Sequence, residues 1–363
     1  MAKGTGMMTD AQRIKALLNR QKPDRVSNWP ILEVSFAVIY DKAPIAYAYN
    51  NPEFALAAQR KACLDFDWVF VPETDYAEQG AWEFGGDIKW PSGEFTQAPV
   101  VAHHPIETPE EAMNLKMPDV KNAGFIPIQM EFSRIAAQEK LDNEPFNVST
   151  SFQGPFCFAA NIPGPDKFCK WLIKKPEAVH HLLRLSVDFL VGVVQYWKDT
   201  FGVDNVLPMY FEPTAVNDII SPKHFEQFVL PYHKEFHQKI LGMGFKHIFC
   251  HICGEHNMNL PYWAQIPMGD PGIVSIGHEV ELETAAKYFP NDIILGNINP
   301  TIVQVGTPEE IYQASKEVIE RGKKLPGGFI FATGCDIPPM ASVENVMAMT
   351  RAVNDFGWYE EGK

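Results

Sequence analysis

Apolar positions along this chain follow two alternating rhythms. Short runs rich in Val, Ile and Phe mark strands, and longer stretches with apolar residues three and four apart mark helices. Eight runs of the first kind stand out, at 26–29, 68–71, 146–151, 206–211, 245–251, 272–276, 293–297 and 329–333. Between the later ones lie amphipathic stretches at 176–197, 222–241 and 308–321, each opened by a proline, the residue best tolerated in a first helical turn. A first helix is expected over 9–19, capped by Thr9 or Asp10 and carrying Ile14, Leu17 and Leu18 on one face. Strands alternating with helices predict a parallel sheet, and eight of them predict a closed (β/α)8 barrel of the α/β class, with an open doubly wound sheet as the alternative. The segment 74–143 breaks the alternation. Gly85-Gly86, Pro91-Ser92-Gly93 and Pro99 punctuate short strands there, Trp82, Phe84, Trp90 and Phe95 supply aromatic bulk, and a helix is expected over 126–141. We read it as a hairpin-bearing excursion, a lid or side wall, inserted into a single barrel domain at 9–363. Residues 1–8 read as a flexible leader.

Composition narrows the function. A net charge of −14 argues against nucleic-acid binding, because a phosphate backbone needs a basic face. No apolar run is long enough to span a bilayer and no signal-peptide core is present, so a cytoplasmic protein without a membrane partner is expected. The six cysteines, at 63, 157, 169, 250, 253 and 335, lack the dense spacing of a disulfide scaffold.

The fifth run carries the strongest chemical signal. It ends Cys250-His251-Ile252-Cys253, and residues i and i+2 of a strand project to the same side, so His251 and Cys253 point one way and Cys250 and Ile252 the other. Imidazole and thiolate are preferred zinc donors. Cys335, just after the eighth run, is the best third donor, and three donors leave a fourth position open for chemistry. The rival readings are a Cys-x-x-Cys redox pair, which normally opens a helix rather than closing a strand, and ordinary core packing. Other runs end in polar residues that would converge on the working face of a barrel: Glu73 and Asp75, Gln153, Glu212, His278 and Glu279, Asn297 and Asn299, and Asp336. Asp75, Glu212, His278 and Asn297 are the candidate catalytic residues, with Glu212 a candidate fourth metal ligand. His224 and His237 read as surface residues.

Gln153-Gly-Pro-Phe156, Glu212-Pro-Thr-Ala215, Ile220-Ser-Pro-Lys-His-Phe225, His251-Ile-Cys-Gly254, Gly296-Asn-Ile-Asn299 and Gly334-Cys-Asp-Ile-Pro-Pro339 follow one another along nearly the whole chain. In these motifs the chain resembles the uroporphyrinogen decarboxylase superfamily, and within it the zinc-dependent corrinoid methyltransferases such as methylcobamide:coenzyme M methyltransferases. The resemblance implies zinc, a methylcorrinoid arriving on a separate corrinoid protein, and transfer of its methyl group to a zinc-activated thiol such as coenzyme M. O-demethylation of a methyl ether and epoxyalkane:coenzyme M transfer lie close to the same branch. Decarboxylation is the weaker alternative: the resemblance pairs Asp75 with the decarboxylases' catalytic aspartate, but their Arg-x-x-Gly-Arg motif is missing.

Overall fold

The computed structural model describes residues 7–92 and 98–359, so most of the expected leader, together with Gly93 and Phe95 of the excursion, lies outside the described residues. Seven strands form one parallel sheet, in spatial order Ser27–Asn28, Phe329–Thr333, Ile293–Ile298, Ile273–Ile276, Phe249–Ile252, Met209–Glu212 and Phe152–Gln153. Val148–Ser149 and Val206–Leu207 pair in the same sense just ahead of the last two.

The expected strand at 68–71 departs from the pattern. Val69 N donates to Asn28 O at 2.7 Å, which docks the segment beside the first strand, but no ladder forms on its other edge. Pro72 follows it directly and has no N–H to donate. Side chains close the gap instead. Ser149 Oγ donates to Pro72 O at 2.5 Å, and Gln129 Nε2 donates to both Thr74 O and Ser151 O at 2.7 Å. With this eighth stave the barrel is complete.

Alternation along each strand sorts its side chains into two cores. Met209, Phe211, Phe249, Ile273, Leu295 and Ile330 pack inside the barrel with Trp29 and Val69. The intervening Cys250, Ile252, Val274, Ile276 and Phe331 face the helical layer. Both faces are buried, and each large apolar side chain so placed contributes roughly 1.5–3 kcal/mol of transfer free energy.

The helices begin where capping chemistry puts them. Thr9 and Gln12 form a reciprocal capping box ahead of Asp10–Leu18, and Thr307 and Glu310 do the same ahead of Pro308–Gly322. The helix expected at 222–241 is not continuous: it runs Pro222–His224, widens into a π turn at Phe225–Val229, and resumes at Leu230–Gly242. Pro231, which cannot donate to the preceding turn, sits where the helix resumes. In the excursion, Asp87–Lys89 and Val100–His103 pair antiparallel, and Trp90 packs against Trp82 and Phe125 with ring centroids 5.7 and 6.4 Å away.

Because Gln129 stands in for a missing ladder, Gln129→Leu should leave two buried carbonyls unpaired and lower the unfolding free energy by about 2–4 kcal/mol in a urea titration. A loss under about 0.5 kcal/mol would mean that the barrel closes without it.

Candidate metal centre

Strand Phe249–Ile252 carries Phe249 inward at the level of Ile273, then His251 inward at the level of Ser275, its direct partner across the parallel pair. Ser275 Oγ lies 2.8 Å from His251 Nδ1. With the Nδ1 proton donated to that hydroxyl, Nε2 is left as the acceptor, and it is buried with no hydrogen-bond partner within 3.5 Å among the described residues. The chain leaves the barrel through Cys253 and Gly254, whose φ of +82° suits glycine.

Backbone contact among three loops brings the cysteines together. A Cβ on Gly277 would stand 2.7 Å from Gly254 N, and one on Gly334 would stand 2.7 Å from His278 N, so neither position tolerates a side chain without displacement. Cys253 and Cys335, 82 positions apart, thereby meet with their sulfurs 3.7 Å from each other. The three donor atoms of His251, Cys253 and Cys335 lie within 4.8 Å of one another, and no other Cys, His, Asp or Glu among the described residues joins them.

The donor set suits a tetrahedral metal. Sulfurs held at about 2.3 Å from a tetrahedral zinc ion lie about 3.8 Å apart, close to the separation seen, whereas a disulfide needs about 2.05 Å. The neighbouring Cys253 thiol, followed by burial, holds the Cys335 thiol well above its ordinary range. A bound dication reverses that preference, because it stabilises the thiolates directly. His251 presents an unpartnered nitrogen to the same point, and Ser275 fixes its tautomer from behind.

An acidic wall flanks the cysteines. Glu33 N donates to Asp336 Oδ1 at 3.1 Å, Leu32 N donates to Glu73 Oε1 at 2.7 Å, and Gln153 Nε2 donates to Asp75 Oδ2 at 3.4 Å. Burial raises all four carboxyls. It pushes Asp75 and Asp336 up to about 7 and, with the neighbouring carboxylates adding to it, Glu33 and Glu73 well above the carboxylate range. Glu33 is the member that sequence reasoning missed, although it follows the first apolar run as the others follow theirs.

Of the remaining expected site residues, Glu212 and His278 do not join the three donors. Glu212 was expected near the metal as a fourth ligand, but its carboxylate is already engaged. It accepts from Phe156 N and Cys157 N at 3.1 and 3.0 Å, at the start of helix Pro155–Asn161, and meets His233 Nε2 at 3.0 Å. Fully buried, it anchors that helix and the one behind it. Asn297 donates to Gly277 O and Val280 O at 3.0 and 2.7 Å, seating the loop that carries His278. His278 itself is exposed at the rim beside Glu279, 3.3 Å away. His237, expected at the surface, is fully buried between Tyr210 OH and Pro267 O, both at 2.7 Å, and burial drops its pKa to about 3.

Comparison with known proteins places this geometry in context. Residues 9–356 match the family model described as Uroporphyrinogen decarboxylase (URO-D). The chain is 29% identical over 318 residues to the methylcobamide:CoM methyltransferase MtbA of Methanosarcina acetivorans, covering 86% of this chain and 87% of that protein. It is 25% identical over 353 residues to the methylcobamide:CoM methyltransferase MtaA of Methanosarcina barkeri, covering 95% and 97%. A solved methyltransferase from Methanosarcina mazei shares the fold, with a TM-score of 0.80 at 22% identity over 96% of this chain and 99% of that one.

Since Ser275 orients the histidine without touching the metal position, Ser275→Ala should weaken zinc affinity about 10–100-fold in a chelator competition while the protein stays folded. An unchanged affinity would mean that the histidine is positioned by packing alone.

Proposed function

The chain belongs to the uroporphyrinogen decarboxylase family, and from that premise we propose that it is a zinc-dependent methyltransferase. It moves a methyl group between a corrinoid carried by a separate protein and a thiol activated at the metal. The observation that carries this reading is the convergence of His251 with the sulfurs of Cys253 and Cys335, with no fourth Cys, His, Asp or Glu beside them among the described residues. Its support from relatives is that two of them are named methylcobamide:CoM methyltransferases, which gives a corrinoid and coenzyme M as substrate classes. We place the enzyme in the cytoplasm as one barrel domain. Its six free cysteines fit a reducing compartment, and no helix among the described residues is long and apolar enough to cross a membrane.

His251, Cys253 and Cys335 would hold the zinc, and zinc would supply a substrate thiol with a depressed pKa. The rest falls to the chain and its substrates. Ser275 keeps His251 in the donor tautomer. Asp75, poised near neutrality, takes the proton that the thiol loses. The substrate sulfur then attacks the methyl carbon, forming the sulfur–carbon bond as the cobalt–carbon bond breaks, and the electron pair stays on cobalt. Asn297 keeps the loop at the mouth seated. Two thiolates and a neutral imidazole offset the metal's charge, so a third thiolate stays electron-rich, which favours thiol over ether as the partner. Decarboxylation of a polycarboxylate fits poorly beside Glu33, Glu73, Asp75 and Asp336.

Mixing the zinc-loaded protein with methylcobalamin and a panel of thiols should give loss of the methyl–cobalt absorbance. Cys335→Ala should lower both the rate and the zinc content, the rate by at least about 100-fold. Equal rates with and without zinc would overturn the reading. Cleavage of methyl ethers by reduced corrinoid, with no thiol turned over, would reassign the protein as an O-demethylase.

A further inference from the structure

We propose that Cys253 and Cys335 also form an oxidative switch, in which the disulfide of the thiol substrate joins them to each other and expels the metal. The inference rests on the methyl-transfer reading above and adds a regulation of the same site. It starts from the Cys-x-x-Cys spelling of Cys250 and Cys253, which the fold does not use as a pair. Cys250 is buried against the helical layer, with its thiol 3.0 Å from Tyr210 OH, whereas the Cys253 sulfur lies past the end of the strand, 3.7 Å from that of Cys335. The redox partner of Cys253 is therefore a residue 82 positions away.

Three features make this pair reactive as well as close. Both cysteines are half-buried and within reach of a reagent, while Cys63, Cys157 and Cys250 are buried, and Cys169, on helix Pro165–Lys174, has no second cysteine beside it among the described residues. The sulfurs must close from 3.7 Å to about 2.05 Å, and the main-chain contacts at Gly277 and Gly334 already hold the loops together, so side-chain rotation supplies the approach. The position that receives a substrate sulfur lies beside both, so an oxidised substrate brings its own S–S bond there. One cysteine thiolate attacks that bond, forming a mixed disulfide and releasing one substrate thiolate. The second cysteine sulfur then attacks the first and releases the other. Two electrons pass from the cysteine pair to one organic disulfide, which leaves as two thiols carrying two protons taken from the cysteines or from water. Of the three donors only His251 remains, too few to retain the metal.

The probe is the disulfide of 2-mercaptoethanesulfonate, added in excess to the reduced, zinc-loaded protein. Free thiols should fall from six to four per chain as about one zinc appears on a chromogenic chelator, and a non-reducing peptide map should show Cys253 joined to Cys335. Dithiothreitol with zinc should restore thiols, metal and turnover together. Cys250→Ser should leave the bridge and the zinc release unchanged, and Cys335→Ser should stop at a mixed disulfide on Cys253. The wild-type map decides if a variant does not fold. A bridge from Cys250 to Cys253, mixed disulfides that never resolve in the wild type, or six thiols and bound zinc after treatment would overturn the proposal. A protein that turns over thiol but forms no bridge would sink the switch and keep methyl transfer; a bridge with zinc release in a protein that turns over no thiol would do the reverse.

Discussion

Everything proposed for this site depends on how closely three loop backbones approach one another. The turns after strands Phe249–Ile252, Ile273–Ile276 and Phe329–Thr333 touch main chain to main chain through Gly254, Gly277 and Gly334. A single methyl group at Gly277 or Gly334 would separate the layers, and with them Cys253 and Cys335. The barrel supplies the frame, since parallel register sets His251 opposite Ser275 and carries both to the same height. The glycines supply the last ångströms. A thiol–thiol distance suited to one shared ion is therefore a property of backbone packing as much as of the cysteines.

Around that point the protein leaves buried polar atoms unpaired. Glu212 shows the contrast: equally buried, it spends its carboxylate on two backbone amides and a histidine. Beside the donors, His251 Nε2 and Glu73 Oε2 have no hydrogen-bond partner among the described residues. Each costs stability when left alone, on the order of 1–3 kcal/mol, and such costs persist where bound species repay them. The nitrogen belongs to the group of three donors, and the carboxyl oxygen belongs to the acidic wall.

Much of this was legible in the order of residues because period-2 alternation is read directly from sequence. The i, i+2 spacing of His251 and Cys253 put both on one face, and a second strand ending in Cys335 completed the set. What depends on pairing across strands was not legible. Ser275 is one polar residue inside an apolar run until parallel register sets it against His251. The segment 68–71 has the composition of a strand, but Pro72 and side-chain bridges decide how it docks. Glu212 follows a strand as a catalytic acid would, yet a carboxylate at that place serves equally as an anchor for the next helix, and only the positions of Phe156 and Cys157 distinguish the two. The apolar stripe at 222–241 gave no sign of the π turn at Phe225–Val229.

X-ray absorption at the zinc edge, recorded before and after adding a thiol substrate, tests the central claim most directly. The account predicts two sulfur donors and one histidine nitrogen from the protein, with a third sulfur entering when the thiol binds. Four protein donors that stay unchanged on adding thiol would contradict it, because no position would then be open for the reaction.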